Sequence, residues 1–148
     1  MASKECFIHT MSELIFLLCS GGYYGGTCYR YVYRITATGS SWEARASYPR
    51  NIHRHGGTVD KVKGRIYVFG GHDCSYSRAE AYYYTVSSNS WTQISNVPWG
   101  GSLDIISTII KNKNGDRWLI ISKEHHTTMV GISSLHENIS STAVLLEP

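Results

Sequence analysis

Three short apolar runs punctuate an otherwise polar chain: Leu14-Ile-Phe-Leu-Leu18, Ile66-Tyr-Val-Phe69 and Trp118-Leu-Ile-Ile121. None alternates polar with apolar positions, so each reads as a strand covered on both faces rather than half-exposed. Around the middle run the pattern predicts four strands, Thr58 to Val62, Arg65 to Phe69, Glu80 to Val86 and Ser90 to Ile94. Lys63-Gly64 and Ser87-Ser88-Asn89 supply the turn chemistry between them. Short strands on tight turns predict an antiparallel sheet, and Glu5 to Thr10 has the same strand-like character near the start of the chain.

The runs belong to a repeat of about 49 residues. Gly21-Gly22 returns 49 positions later as Gly70-Gly71, and Trp42 returns at the same interval as Trp91. A tyrosine stands nine positions before each tryptophan, Tyr33 and Tyr82, and the three prolines of the chain, Pro49, Pro98 and Pro148, close successive units. One domain of three units follows, at about 5–49, 50–98 and 99–148. The third is degraded: Asn114 to Ile121 imitates Lys63 to Phe69, but Ile121-Ser122 stands where the double glycine belongs. A glycine pair after a buried strand lets the chain turn sharply and lets neighbouring backbone come close. The later Tyr and Trp of each unit are then expected to fill the gap between adjacent sheets.

Composition agrees with an all-β chain: eleven Tyr, four Trp and fourteen Gly against three Pro. A net charge of +3 falls short of the clustered excess of a nucleic-acid binder, so no nucleic-acid partner is expected. Leu14 to Leu18 is too short for a signal core and follows the acidic Glu13. Nothing approaches the roughly 20 apolar residues of a membrane span, so no membrane is expected and the location predicted is cytoplasmic. Cys6, Cys19, Cys28 and Cys74 contain no C-x-x-C pair, and the expectation is that they are reduced thiols. His53-x-His55 would set two rings on one face of an extended segment, yet no further ligands stand at a recognisable spacing, so neither metal nor cofactor is expected. There is no nucleophile elbow, no H-E-x-x-H, no phosphate loop and no paired carboxylates, so an enzyme is not expected.

A hydrophobic strand ending in Gly-Gly, then a polar loop, a tyrosine and a spaced tryptophan, repeating near 50 residues, resembles the kelch repeat. The match is closest over Arg65-Ile-Tyr-Val-Phe-Gly-Gly71 through Trp91 and good over Leu14 to Gly22, Tyr33 and Trp42. The resemblance implies a partial kelch-type β-propeller of about three four-stranded antiparallel blades, radially placed about an axis. Three blades do not close a ring, so further blades, from a longer chain or a second copy, are expected to complete it.

Kelch propellers usually bind proteins through the loops at one end. Here these are Tyr23 to Cys28, Tyr48 to His55, His72 to Arg78 and Pro98 to Ser102. They carry Tyr23, Tyr24, Arg50, His53, Arg54, His55, His72, Asp73, Tyr76, Arg78 and Trp99, a set rich in the residue types that anchor interfaces. The function this implies is a protein-interaction module, for example within an adaptor or ubiquitin-ligase substrate receptor. A small-molecule or enzymatic propeller and a truncated fragment without independent function are the alternatives. The basic segment from Arg45 to Arg65 could attract an acidic peptide. Strand alternation and turns would instead scatter its charges over a solvated face.

Overall fold

The computed structural model describes residues 3–11, 14–123 and 126–132. Every regular element among them is a strand. Sheet one orders β1 (Ser3–Met11), β2 (Leu14–Tyr24), β4 (Val32–Thr36) and β5 (Glu43–Arg45), with the short β3 (Thr27–Cys28) hairpinned onto the end of β2. Sheet two runs β6 (Gly56–Asp60), β7 (Arg65–Phe69), β8 (Ala81–Thr85) and β9 (Ser90–Ile94). Sheet three comprises β10 (Ile106–Lys111), β11 (Arg117–Lys123) and β12 (His126–Gly131). All strand pairings are antiparallel and, but for β2 with β4 across the short β3, join chain neighbours; β6 lies against both β1 and β10, so first strands of successive sheets stand side by side. This is the arrangement of a partial kelch-type propeller. A fourth strand of the third unit, and Pro148, lie outside the described residues.

Burial explains why β7 is apolar from Ile66 to Phe69. Ile66 and Val68 face sheet one, in a core with Val32, Tyr48, Ile52, Tyr84 and Val86. Tyr67 and Phe69 face sheet three, in a second core with Ala81, Val97, Ile105, Leu119 and Ile121. Alternate side chains of one strand thus serve two cores, and both faces must be apolar. In β11 only Leu119 and Ile121 are buried, while Trp118 and Ile120 are half-exposed. The third run therefore has one covered face among the described residues, where the sequence predicted two.

The glycine doublets behave as their chemistry requires. Gly21 and Gly70 hold φ of 65° and 60°, a left-handed conformation that other residues rarely adopt. A Cβ on Gly70 would come 2.6 Å from the Ser102 carbonyl, and one on Gly21 would collide with that of Ile52. The second glycine of each pair uses the space: Gly22 N–H donates to Ile52 O at 2.9 Å, and Gly71 N–H to Ser102 O at 2.7 Å. The period extends to the surrounding backbone. Gly21 N–H reaches Tyr31 O as Gly70 N–H reaches Glu80 O, and Tyr48 N–H reaches Arg30 O as Val97 N–H reaches Ala79 O. Each acceptor is displaced by 49 residues from its counterpart.

Within sheet two, β8 is one residue shorter at each end than the predicted Glu80 to Val86, and β6 is shifted along the chain. β6 begins two residues before the predicted Thr58 and ends at Asp60. Asp60 Oδ1 accepts the backbone N–H groups of Val62 and Lys63, at 3.0 and 3.1 Å, and so closes the turn before Val62 can extend the strand. Gly56 opens the strand because β6 passes so close to Ile105 that a Cβ would collide with its carbonyl.

Candidate functional site

The four loops predicted to form one end do meet there, because β2, β7 and the linkers between sheets all finish on that side. Their backbones are cross-tied: His53 N–H donates to His72 O at 3.0 Å and His72 N–H to His53 O at 2.9 Å. The linker before sheet two is thereby fixed to the β7–β8 loop.

Most of the predicted charges are spent on holding these loops. Asp73 is the hub. Its Oδ1 accepts the N–H groups of Ser75 (3.0 Å) and Tyr76 (2.8 Å), while Oδ2 accepts Arg78 Nε at 2.6 Å and also its Nη2. Burial alone would raise the Asp73 pKa, but the Tyr76 and Ser75 amides and the Arg78 guanidinium outweigh it and hold the carboxyl at about 2. Arg50 extends the network, with Nη2 to Glu80 Oε1 at 3.0 Å and Nη1 3.8 Å from Asp73 Oδ2. Arg54 pairs with Asp104 on the surface. The rest of the basic segment is scattered: Arg45 donates to Tyr84 Oη at 3.2 Å, Lys63 to Ile132 O at 3.0 Å, and Arg65 covers the Tyr83 ring at 4.0 Å.

Two predicted residues point inward. His55 is buried, donating to or accepting from Ser20 Oγ at 2.9 Å and stacking on Tyr48. Burial, with His53 nearby, pushes its pKa down to about 3, so the ring is neutral. Trp99 packs against the core between sheets two and three. His53 and His55 do not share a face as an extended segment would require, because Arg54 between them has φ of 54°.

Apart from Arg54 in its pair with Asp104, the predicted residues that remain exposed are aromatic. Tyr23, Tyr24 and Tyr76 are 41%, 59% and 67% accessible, with Tyr76 beneath the Arg78 guanidinium. Tyr23 stacks on His53 at 5.1 Å, and His72 meets His53 edge-on at 5.5 Å. An open cleft lies beside them, lined by Tyr23, Gly26, His53, Arg54, His72 and Cys74.

The cysteines correct a sequence expectation. Cys28 and Cys74 are joined by a disulfide across sheets one and two, with Cα atoms 5.8 Å apart, and are not free thiols. A signal for this was present: both lie in loops assigned to the same end, 46 residues apart and close to the repeat period. The spacing brings equivalent loops of adjacent units together, a route to pairing that C-x-x-C spacing does not reveal.

No curated protein matches the chain. A family model described as the Kelch motif matches residues 53–98, a span that begins at the cross-tied His53, contains all of sheet two and ends at Pro98. Within that span lie Gly70-Gly71, and also Tyr82 and Trp91, which pack partly buried against the core between sheets one and two, each edge-on to the Tyr48 ring. Over residues 53–98 the chain is therefore similar to the Kelch motif.

Proposed function

We propose that the loop end is a docking surface for a protein partner, in the manner of an adaptor or substrate-receptor module in the cytoplasm. The observation that carries this is the contrast within the end itself: Arg50, Asp73 and Arg78 pair with one another and with Glu80, while Tyr23, Tyr24 and Tyr76 stay exposed. A rigidified charged floor under accessible tyrosines suits an interface, since aromatic rings contribute large contact area at little entropic cost. The Kelch motif at 53–98 supports a protein-interaction role in general. A captured partner, titrated against the purified chain, should bind Tyr24→Ala and Tyr76→Ala at least about tenfold more weakly than wild type. Val62→Ser, in the exposed β6–β7 turn at the other end, should bind as wild type does; equal affinity for all four proteins removes the proposal.

A second reading concerns the leading side of sheet one, where Trp42 and Tyr31 are 48% and 52% exposed. Trp91, the repeat counterpart of Trp42, is covered by the preceding sheet. A further sheet of the same type, from a longer chain or a second copy, would cover Trp42 in the same way.

A further inference from the structure

The loop end holds one cluster that the docking surface leaves unused. Cys28 ends β3 and is buried, Cys74 lies in the β7–β8 loop, and His53 lies in the linker between the sheets. Their potential ligand atoms all fall within 4.8 Å of one another. Two sulfurs and an imidazole nitrogen are the donors that zinc takes in tetrahedral sites, with sulfurs about 3.8 Å apart when each is 2.3 Å from the ion. A Cα separation of 5.8 Å accommodates that spacing as well as a disulfide.

We propose that Cys28, Cys74 and His53 form a redox-gated site for one Zn2+, closed by the disulfide and opened by its reduction. The His53 backbone is pinned by its two hydrogen bonds to His72, and its ring lies between Tyr23 and His72, so the imidazole is held before metal arrives. His72 Nδ1 already accepts the Cys74 N–H at 3.0 Å, so that atom is not a ligand; the fourth position faces the open cleft.

The exchange balances with a monothiol of the glutathione type as reductant. Two equivalents break the S–S bond and deliver two electrons and two protons, leaving as their own disulfide. Zn2+ then forms two Zn–S bonds, and the two thiol protons pass to solvent. Either state ties sheet one to sheet two, so the loop end keeps its frame while its charge and chemistry change. Wherever thiols are kept reduced, the thiol form is the one available to metal.

The test uses the full chain carrying Cys6→Ser and Cys19→Ser, so that Cys28 and Cys74 are its only thiols. After phosphine reduction and anaerobic desalting it is titrated with Co2+, whose thiolate charge-transfer and tetrahedral bands report the donor set. The expected result is one Co2+ per chain, displaced by equimolar Zn2+, with no band before reduction. His53→Ala should weaken binding roughly tenfold or more, and Cys74→Ser should abolish the band. A parallel measurement on the reduced wild-type chain covers the case in which the serine background does not fold: Zn2+ should protect Cys28 and Cys74 from alkylation, read by peptide mass. No cobalt band in the folded reduced chain, a band indifferent to His53→Ala, or alkylation unslowed by Zn2+ each overturns the site.

Discussion

Trp42 and Trp91 occupy the same place in successive units, yet one is nearly half exposed and the other is a keystone. Trp91 meets the buried Tyr48 edge-on at 4.8 Å, and its Nε1 donates to Ala46 O at 2.9 Å. Asn89 takes the other polar group of the same residue, accepting Ala46 N–H at 2.8 Å, and Tyr84 Oη donates to Asn89 at 2.7 Å. Sheet two thus clamps one residue, just past the end of β5, between an indole and a turn amide, over an apolar floor. Around Trp42 no sheet stands among the described residues, and the ring has nothing to clamp. The lesson is that the repeated tryptophan stabilises a boundary between units and not the unit that carries it.

The comparison can be broken most readily at Trp91. Trp91→Ala should cost about 3–5 kcal/mol in urea unfolding, because it removes a large, partly buried ring packed on the core and leaves Ala46 O without its indole donor; a loss under about 1 kcal/mol would contradict the keystone role. The boundary between sheets two and three offers the next effect. Asp60, almost fully buried, accepts the Arg117 guanidinium, so Arg117→Ala strands a buried carboxylate and should cost about 3 kcal/mol. Adding Asp60→Asn, which keeps the turn-closing oxygen and removes the charge, should restore much of the loss; no recovery in the double mutant would show that the stranded charge is not its cause.

A third effect reads the first boundary through pH. His55, buried against Tyr48, has a folded pKa of about 3 against an ordinary 6.5. The folded state therefore resists protonation, and its stability is whole above pH 6.5 and falls toward pH 3 by up to about 1.4 kcal/mol per unit. His53 is shifted in the same direction, so the slope is compared between His55→Gln and His53→Gln between pH 6.5 and 4.5. The account expects the larger flattening from His55→Gln, and equal slopes would refute it. The smallest change is at the open side, where Trp42→Ala should lie within about 0.5 kcal/mol of wild type in the same assay.

Much of this was legible in the sequence because it is periodic. The 49-residue interval located the glycine doublets, the continuous burial of Ile66 to Phe69, and the place of Tyr82 and Trp91 between sheets. What the interval does not encode is whether a unit has a neighbour, so Trp42 and Trp91 look identical in sequence and differ in space. Nor does it encode contacts among loops. Arg50, Asp73 and Arg78 read as interface residues by type, and only their geometry reveals that they bind one another. The inward turns of His55 and Trp99 likewise depend on the left-handed Arg54 and on the second core, neither of which residue type foretells.

Hydrogen exchange at four glycine amides puts the repeating backbone contact to the most direct trial. Gly22 and Gly71, which donate to Ile52 and Ser102 across the sheet boundaries, should exchange as slowly as strand amides such as Val68. Gly26 and Gly100, with open space about them, should exchange quickly. Rapid exchange at Gly22 and Gly71 alike would mean that successive sheets are not joined in this way.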